Sequence, residues 1–410
     1  ILSHVYSNGL VLLAEPMVSV ESVAFTFRVP AGTSAEPTDK GGLAGLTCEM
    51  MLRGAGPRDN RQFVNDLDNL GVQRSEAVGD AHAVFSGATL ARNLSPTLEI
   101  YADLTRRPHL PQAGLEPCRL MALQELSAVE DEPAHKVMLE LRRRHFPDPW
   151  GRSNQGNREA LEAMCLADVR GFYERIYRPN GAILGVAGRL DWERLKDDVG
   201  RLWGDWPTLE QPDIGEGAAG PHRAHLPHES NQTQIALAYP GVPYQHPDYY
   251  AASAAVAVLG DGMSSRLFTE VREKRGLCYS VYASYGTLYD RGSVFCYAGT
   301  SAERAQETLD VMLREILRLS EGIEPGELAR LKTRVKSSLI MQQESTFARS
   351  ALLARDWYFL GRVRTLDEVE AIVDALSADE INTYLAAHRP QNFTIVTLGP
   401  KELEVPVGIS

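Results

Sequence analysis

The chain has 410 residues, 44% of them hydrophobic and 23% charged, with a formal net charge of −12. That length exceeds one ordinary core and suggests two or three globular domains, while the acidic balance argues against nucleic acid, which calls for a basic face. No apolar run approaches the roughly 18 residues needed to span a membrane.

Taken in order, the sequence opens with strand-like segments at 11–14 and 23–29, the second ending at Pro30-Ala31-Gly32. A helix is expected over 43–53 and another over 61–70, each closed by a glycine, Gly54 and Gly71. A strand at 82–90, a helix from Ser95-Pro96 and a long helix over 115–129 follow. The half ends with a helix at 166–177, a strand at 182–186 and a helix at 192–203. Residues 206–227, rich in Pro, Gly and acidic side chains, read as a linker.

The densest pattern lies beyond it, in SSRLFTEVREKRGLCYSVYASY over 264–285. Ser264 or Ser265 can cap a helix whose Leu267, Phe268 and Val271 form an apolar face. Arg272, Lys274 and Arg275 suit its C-terminal dipole, and Gly276 suits the left-handed stop. The following strand alternates, with Tyr279, Val281, Ala283 and Tyr285 expected on one face. A chain folding back at Gly276 would point Arg272 and Tyr279 into one cleft.

The two halves also echo each other. Asp168 and Tyr173 recur as Asp379 and Tyr384, Arg178-Pro179 as Arg389-Pro390, and Thr97-Leu98 as Thr308-Leu309, all 211 residues on. Residues 61–70 with Gly71 correspond to 267–275 with Gly276 at a shorter offset of 205. One long period present twice means a duplicated domain, not a solenoid. The expected layout is therefore residues 1–205, a linker at 206–227 and residues 228–410, each half an α+β layer of sheet on helix.

The run over 264–285 resembles the second-domain signature of the pitrilysin-type M16 metallopeptidases, which carry an inverted zinc motif, and of their mitochondrial processing relatives. The resemblance implies an α+β fold of two homologous LuxS/MPP-like α/β sandwich domains arising by tandem duplication. In that family the arginine and tyrosine seven apart, here Arg272 and Tyr279, contact substrate beside the zinc. A tyrosine hydroxyl can donate to a developing oxyanion and an arginine can hold a substrate carbonyl.

The same family places its zinc ligands on a first-half helix as His, two residues, then Glu-His, with a glutamate roughly 75 residues later. Two imidazoles four apart share a helix face, and the intervening glutamate takes a proton from metal-bound water. The matching stretch here is GLAGLTCEMMLRG over 42–54. Gly45 stands for the first His, Cys48 for the catalytic Glu and Glu49 for the second His; Cys118 replaces a supporting Glu, and only Glu125 keeps its ligand type. Such a site should bind no metal and hydrolyse no peptide. Cys48, Glu49 and Glu125 converge poorly as an alternative metal set, since neighbours on a helix point about 100° apart.

Other motifs carry less. The five cysteines (Cys48, Cys118, Cys165, Cys278 and Cys296) are scattered, odd in number and never in a CxxC pair, which argues against a disulfide scaffold. His222, His225 and His228 read as a solvated linker run, and Gly260-Asp261-Gly262 as a tight turn without the lysine of a phosphate loop. The expectation is a non-catalytic subunit of a heterodimeric M16 peptidase. It binds no cofactor itself and pairs with a zinc-motif-bearing M16 subunit, the two closing like clamshell halves around peptide substrates, with Arg272 and Tyr279 acting in trans. A structural subunit like the complex III core proteins, or a substrate-presenting subunit, stays open. No signal sequence is visible and the chain starts at Ile1. A soluble protein of the bacterial periplasm or cytoplasm is expected, with the mitochondrial matrix as the alternative.

Overall fold

The computed structural model describes residues 1–406. The first repeat runs β1 (Leu2–Val5), β2 (Val11–Pro16), β3 (Ser22–Val29), α1 (Leu43–Met51), a small ribbon of β4 (Gly54–Ala55) and β5 (Arg58–Asp59), and α2 (Asn60–Asn69). It continues through β6 (Gln73–Val78), β7 (Ala83–Leu90), α3 (Leu94–Arg106), α4 (Gln112–Glu130) and α5 (Pro133–His145). Its last elements are α6 (Arg158–Ala163), α7 (Leu166–Ile176), β8 (Ile183–Gly188) and α8 (Trp192–Trp203). The second repeat opens with β9 (Arg223–Pro227), β10 (Gln232–Gly241) and α9 (Tyr249–Gly260), then a π-helical turn over Phe268–Glu273. After it come β11 (Cys278–Thr287), β12 (Gly292–Ser301), α10 (Ala305–Arg318), α11 (Pro325–Gln343), α12 (Thr346–Leu360), α13 (Leu366–Ala375), α14 (Ala378–Ala387) and β13 (Thr394–Gly399).

The two sheets share one topology. The first is ordered β1-β2-β8-β3-β7-β6 and the second β11-β12-β10-β13-β9. Reading the second backwards matches β9 to β2, β13 to β8, β10 to β3, β12 to β7 and β11 to β6. In both, the outer strand of the matched set is parallel to its neighbour: β2 to β8, and β9 to β13. The repeat seen in residue offsets is thus a repeat of architecture, and both sheets end on an exposed edge strand, β6 and β11.

One face of each sheet buries the expected apolar alternation. Leu10, Leu12, Val23, Phe25, Phe27, Phe85, Leu184 and Val186 belong to the first core, closed by side chains of α1, α3, α7 and α8. Ile235, Leu237, Val294, Cys296, Ala298 and Ile395 belong to the second.

The opposite faces are covered in a way the sequence did not suggest. Compact packing divides the chain into one unit of 1–128, 148–217 and 341–363 and another of 129–147, 218–340 and 364–410. The helix α12, encoded in the second repeat, packs on β8 and β3 of the first sheet. In return α5, encoded in the first repeat, packs on β10 and β13 of the second. A cut at 205 and 228 separates the repeats, not the compact units.

The contacts of these exchanged helices are polar as well as apolar. The Arg349 side chain of α12 is 2% exposed and donates from Nε and Nη2 to Glu15 Oε2 on β2, at 2.9 and 2.5 Å. Ser350 Oγ lies 3.0 Å from Thr26 Oγ1, and Leu353 and Ala354 pack on Val11, Leu13 and Ile183. Gly185 on β8 lets the helix this close, since a Cβ there would collide with the Ser350 carbonyl. On the second sheet His145 of α5 meets Thr394 Oγ1 through Nδ1 at 3.1 Å and Ser293 Oγ through Nε2 at 2.8 Å.

The stretch expected as a linker is therefore a connector only in part. Arg223–Pro227 is strand β9, and two histidines of the run His222, His225 and His228 meet hydroxyls: His222 Nδ1 to Thr394 Oγ1 and His225 Nδ1 to Thr397 Oγ1, each 2.9 Å. His225 is half-buried in this pairing, whereas His222 stays exposed as the solvated reading expects. Among the described residues, no helix is long and apolar enough to cross a membrane.

Candidate functional site

In the first unit, Leu43, Leu46, Thr47, Met50 and Met51 bury most of α1. Only Gly45 and Glu49, four apart on one stripe, are partly open. The buried Glu36 carboxylate caps this helix, accepting from the Gly42 and Ala44 amides at 3.2 and 2.8 Å. Gly45, Cys48 and Glu49 line one cleft of about 250 Å³ with Glu76, Ala77 and Val78 of edge strand β6 and with Met121, Ala122 and Glu125 of α4. All four positions singled out from sequence therefore meet at one place.

Their chemistry there is not that of a ligand set. Gly45 offers no donor atom. Cys48 is 4% exposed, and burial pushes its thiol far up, so it stays protonated. Burial raises the Glu49 carboxyl, opposed by Arg53 and reinforced by the carboxylates of Glu125 and Glu76. Arg53, one turn further along the chain, ties this wall together. Its Nη2 lies 3.7 Å from Glu49, its Nε donates to Cys118 Sγ at 3.1 Å, and its Nη2 reaches Met121 Sδ at 3.3 Å. Glu76 is held by Arg74 at 3.0 Å and by the Tyr101 hydroxyl at 3.3 Å. Sequence reading missed Arg53 and Glu76. The i, i+4 spacing of Glu49 and Arg53 was a usable signal; nothing marked Glu76.

In the second unit, the expected α-helix after Ser265 is mostly a π-helical turn over Phe268–Glu273. The Lys274 amide bonds the Thr269 carbonyl and the Leu277 amide the Val271 carbonyl, both at 2.9 Å. Ser265 does not cap this turn; its hydroxyl donates back to the Gly262 carbonyl at 2.7 Å. Gly276 takes the left-handed stop at φ 58°, and Arg304 fastens it by donating to the carbonyls of Arg275 and Gly276, each at 2.9 Å.

Strand β11 then begins with a bulge. Cys278 faces Thr300 while Ser280 faces Gly299, so Tyr279 is the extra residue. The even alternation expected from sequence would have put Tyr279 on the buried face with Val281 and Ala283. The bulge instead turns it outward, to 83% exposure, and leaves Cys278 buried. The Arg272 guanidinium sits between two rings, its Cζ 4.8 Å from the centroid of Phe268 and 4.8 Å from that of Tyr279. Among the described residues Arg272 has no ion pair, whereas Lys274 and Arg275 both spend their charge on Glu270. A cation whose faces are stacked and whose N–H edge is unspent can receive a carbonyl or carboxylate. Beside it, Val256, Gly260, Met263, Phe268, Val281 and Tyr285 line a hollow of about 500 Å³ along edge strand β11.

Two family models cover most of the chain. Residues 12–153 match "Insulinase (Peptidase family M16)" and residues 164–335 match "Peptidase M16 inactive domain". The chain belongs to peptidase family M16. An "Uncharacterized zinc protease" of Rickettsia felis is 25% identical over 97% of this M16 chain and 97% of its own. A solved "peptidase M16 inactive domain" from Pseudomonas fluorescens superposes with a TM-score of 0.90 at 22% identity, covering 99% of each chain. A chain of Candida albicans complex III2 superposes at 0.81 with 18% identity, covering 97% of this chain and 95% of that one.

A zinc ion, implied by such relatives, needs at least three deprotonated protein ligands. The M16 cleft here offers a glycine, a thiol held protonated and carboxylates with an arginine among them. Among the described residues no three His, Cys, Asp or Glu side chains are grouped to hold a metal. These residues do not fit zinc.

Proposed function

We propose that this chain is the non-catalytic subunit of a heterodimeric M16 peptidase. It lends Arg272 and Tyr279 to peptide hydrolysis in a partner subunit that carries the zinc motif. The observation that carries this reading is the contrast between the units. One has exchanged its ligand positions for Gly45, Cys48 and Glu49, while the other displays an unpaired arginine stacked on an outward-turned tyrosine. A scaffold alone has no use for the second arrangement.

In this role an extended peptide adds to a sheet edge, where main-chain hydrogen bonds give affinity and hollows take side chains. The Arg272 guanidinium donates to a peptide carbonyl and fixes its register. The Tyr279 hydroxyl donates to the carbonyl oxygen as it gains negative charge, a contact that strengthens only towards the transition state. The test is reconstitution with a zinc-motif M16 partner and cleavage of a quenched peptide. Activity in the mixture alone, lost on Arg272→Ala and Tyr279→Phe, is the expected result.

The second reading is a purely structural or assembly subunit, which the likeness to a complex III2 chain favours. It requires that the partner depend on this chain for assembly while both substitutions leave turnover unchanged.

A further inference from the structure

The hollow beside Arg272 has walls that narrow what a bound peptide must carry. It runs along β11, which pairs with β12 alone and so forms an edge of the second sheet. Five consecutive residues, Val281 to Tyr285, border it. Successive side chains of a strand point to opposite faces, so a space bordered by an unbroken run lies against the open edge and not against one face. Along that edge every second residue turns its N–H and C=O away from β12, where another extended chain can pair with them. Five residues of strand span about 17 Å, the reach of an extended peptide segment of the same length.

The other wall comes from α9 and the turn that follows it. Val256, Ala257 and Phe268 border the hollow, as does Gly260, where a Cβ would collide with the Ala283 amide. Met263 and Tyr282 border it too and are exposed. Apolar side chains grouped in the open beside an unpaired strand edge mark a binding surface.

Polar groups around the hollow are largely engaged already. Of the described residues lining it, only Asp261 carries a charge, and its carboxylate accepts from Arg334 Nη2 at 2.9 Å. The Tyr285 hydroxyl donates to the Val242 carbonyl at 2.7 Å. A lysine or arginine side chain entering here would lose water without gaining an unspent carboxylate, a cost that an apolar side chain does not meet. Phe268 ties the hollow to the arginine, since its ring borders the space and lies 4.8 Å from Arg272 Cζ. The guanidinium therefore stands at the rim.

We propose that this hollow is a side-chain subsite for a bulky apolar residue, such as Phe or Leu, of an extended peptide paired to β11. Main-chain hydrogen bonds to the edge and the Arg272 contact set the register, and the hollow selects the residue. The inference rests on the peptide-binding role proposed above and names the residue class which that role selects.

The test is binding, kept apart from cleavage. Fluorescent Ser/Thr host peptides carrying Phe, Ala or Lys at successive positions are titrated into the full chain and followed by anisotropy. At one position Phe should bind about tenfold more tightly than Ala, and Lys no better than Ala. Ala257→Phe fills the hollow from α9 and should erase the preference for Phe while leaving the affinity for the Ala peptide unchanged. If that variant fails to fold, Met263→Ser, at an exposed position, should shrink the preference to about threefold. No binding, no position that prefers Phe, a preference for Lys, or a preference that survives Ala257→Phe overturns the proposal. Cleavage by the reconstituted pair separates it from the role in trans: a preference for Phe with silent Arg272→Ala and Tyr279→Phe variants refutes that role and keeps the subsite, whereas cleavage that depends on both residues without a preference for Phe removes the subsite alone.

Discussion

The aromatic sandwich around Arg272 makes a graded prediction, because its two rings do different work. Phe268 offers the guanidinium a ring 4.8 Å away, whereas Tyr279 supplies both a ring at the same distance and a hydroxyl. A cation–π contact at a partly exposed site is worth about 1 kcal/mol. Phe268→Leu should therefore cost about fivefold in kcat/KM, through a guanidinium that is less well held. Tyr279→Phe keeps the ring and removes the donor, and the loss of one oxyanion donor costs on the order of 100-fold in kcat. Tyr279→Leu removes both and should fall further, by about 500-fold if the two effects add. The assay is quenched-peptide cleavage by the reconstituted pair, with co-purification showing that each variant still binds its partner. The reasoning fails if Phe268→Leu costs as much as Tyr279→Phe, or if Tyr279→Phe is silent.

Three further outcomes follow from the same geometry. Glu15→Ala strands the Arg349 guanidinium and should cost about 3 kcal/mol in urea unfolding, while Arg349→Met, which removes the charge itself, should cost much less; equal losses would mean the pair is not what anchors α12. Burial, with His222 and Arg142 nearby, lowers His145 to about 4, so the folded state resists its protonation. The stability it lends is intact above about pH 6.5 and is lost as pH falls towards 4, by up to about 3 kcal/mol. His145→Gln should flatten that part of the pH profile, and an unchanged slope would remove His145 from the account. Because Glu125 lines the cleft with the three exchanged positions, the combined Gly45→His, Cys48→Glu and Glu49→His variant should take up one zinc per chain by elemental analysis; none bound would mean α1 does not present these positions together.

Much of this was legible in the residues, for identifiable reasons. Duplication showed because side-chain identities recur at fixed offsets, and the meeting of Gly45 and Glu49 at one cleft showed because a helix with one open stripe fixes where i and i+4 point. Tyr279 was misread because alternation assumes an even pleat, and one inserted residue inverts every side-chain direction before it. The π-helical turn escaped for a similar reason: Leu267 and Val271 satisfy an α-helical spacing, and the extra residue appears only in the hydrogen bonds. The destination of α5 and α12 was invisible. Their docking rests on His145, Arg349 and Ser350, residue types that read equally well as a solvated helix face, and no local pattern says which sheet a helix will cover.

That reciprocal loan of helices has a consequence for how the chain comes into being. The first sheet is strung from residues 2 to 188, yet the helix that shields its second face is not synthesised until residues 346–360. The first half is therefore synthesised well before the helix that covers that face. The two repeats, though copies of one another, cannot be parted by cutting between them: each fragment would carry away its neighbour's cover and leave its own behind. The boundary between the copies is thus no longer the boundary between the compact units.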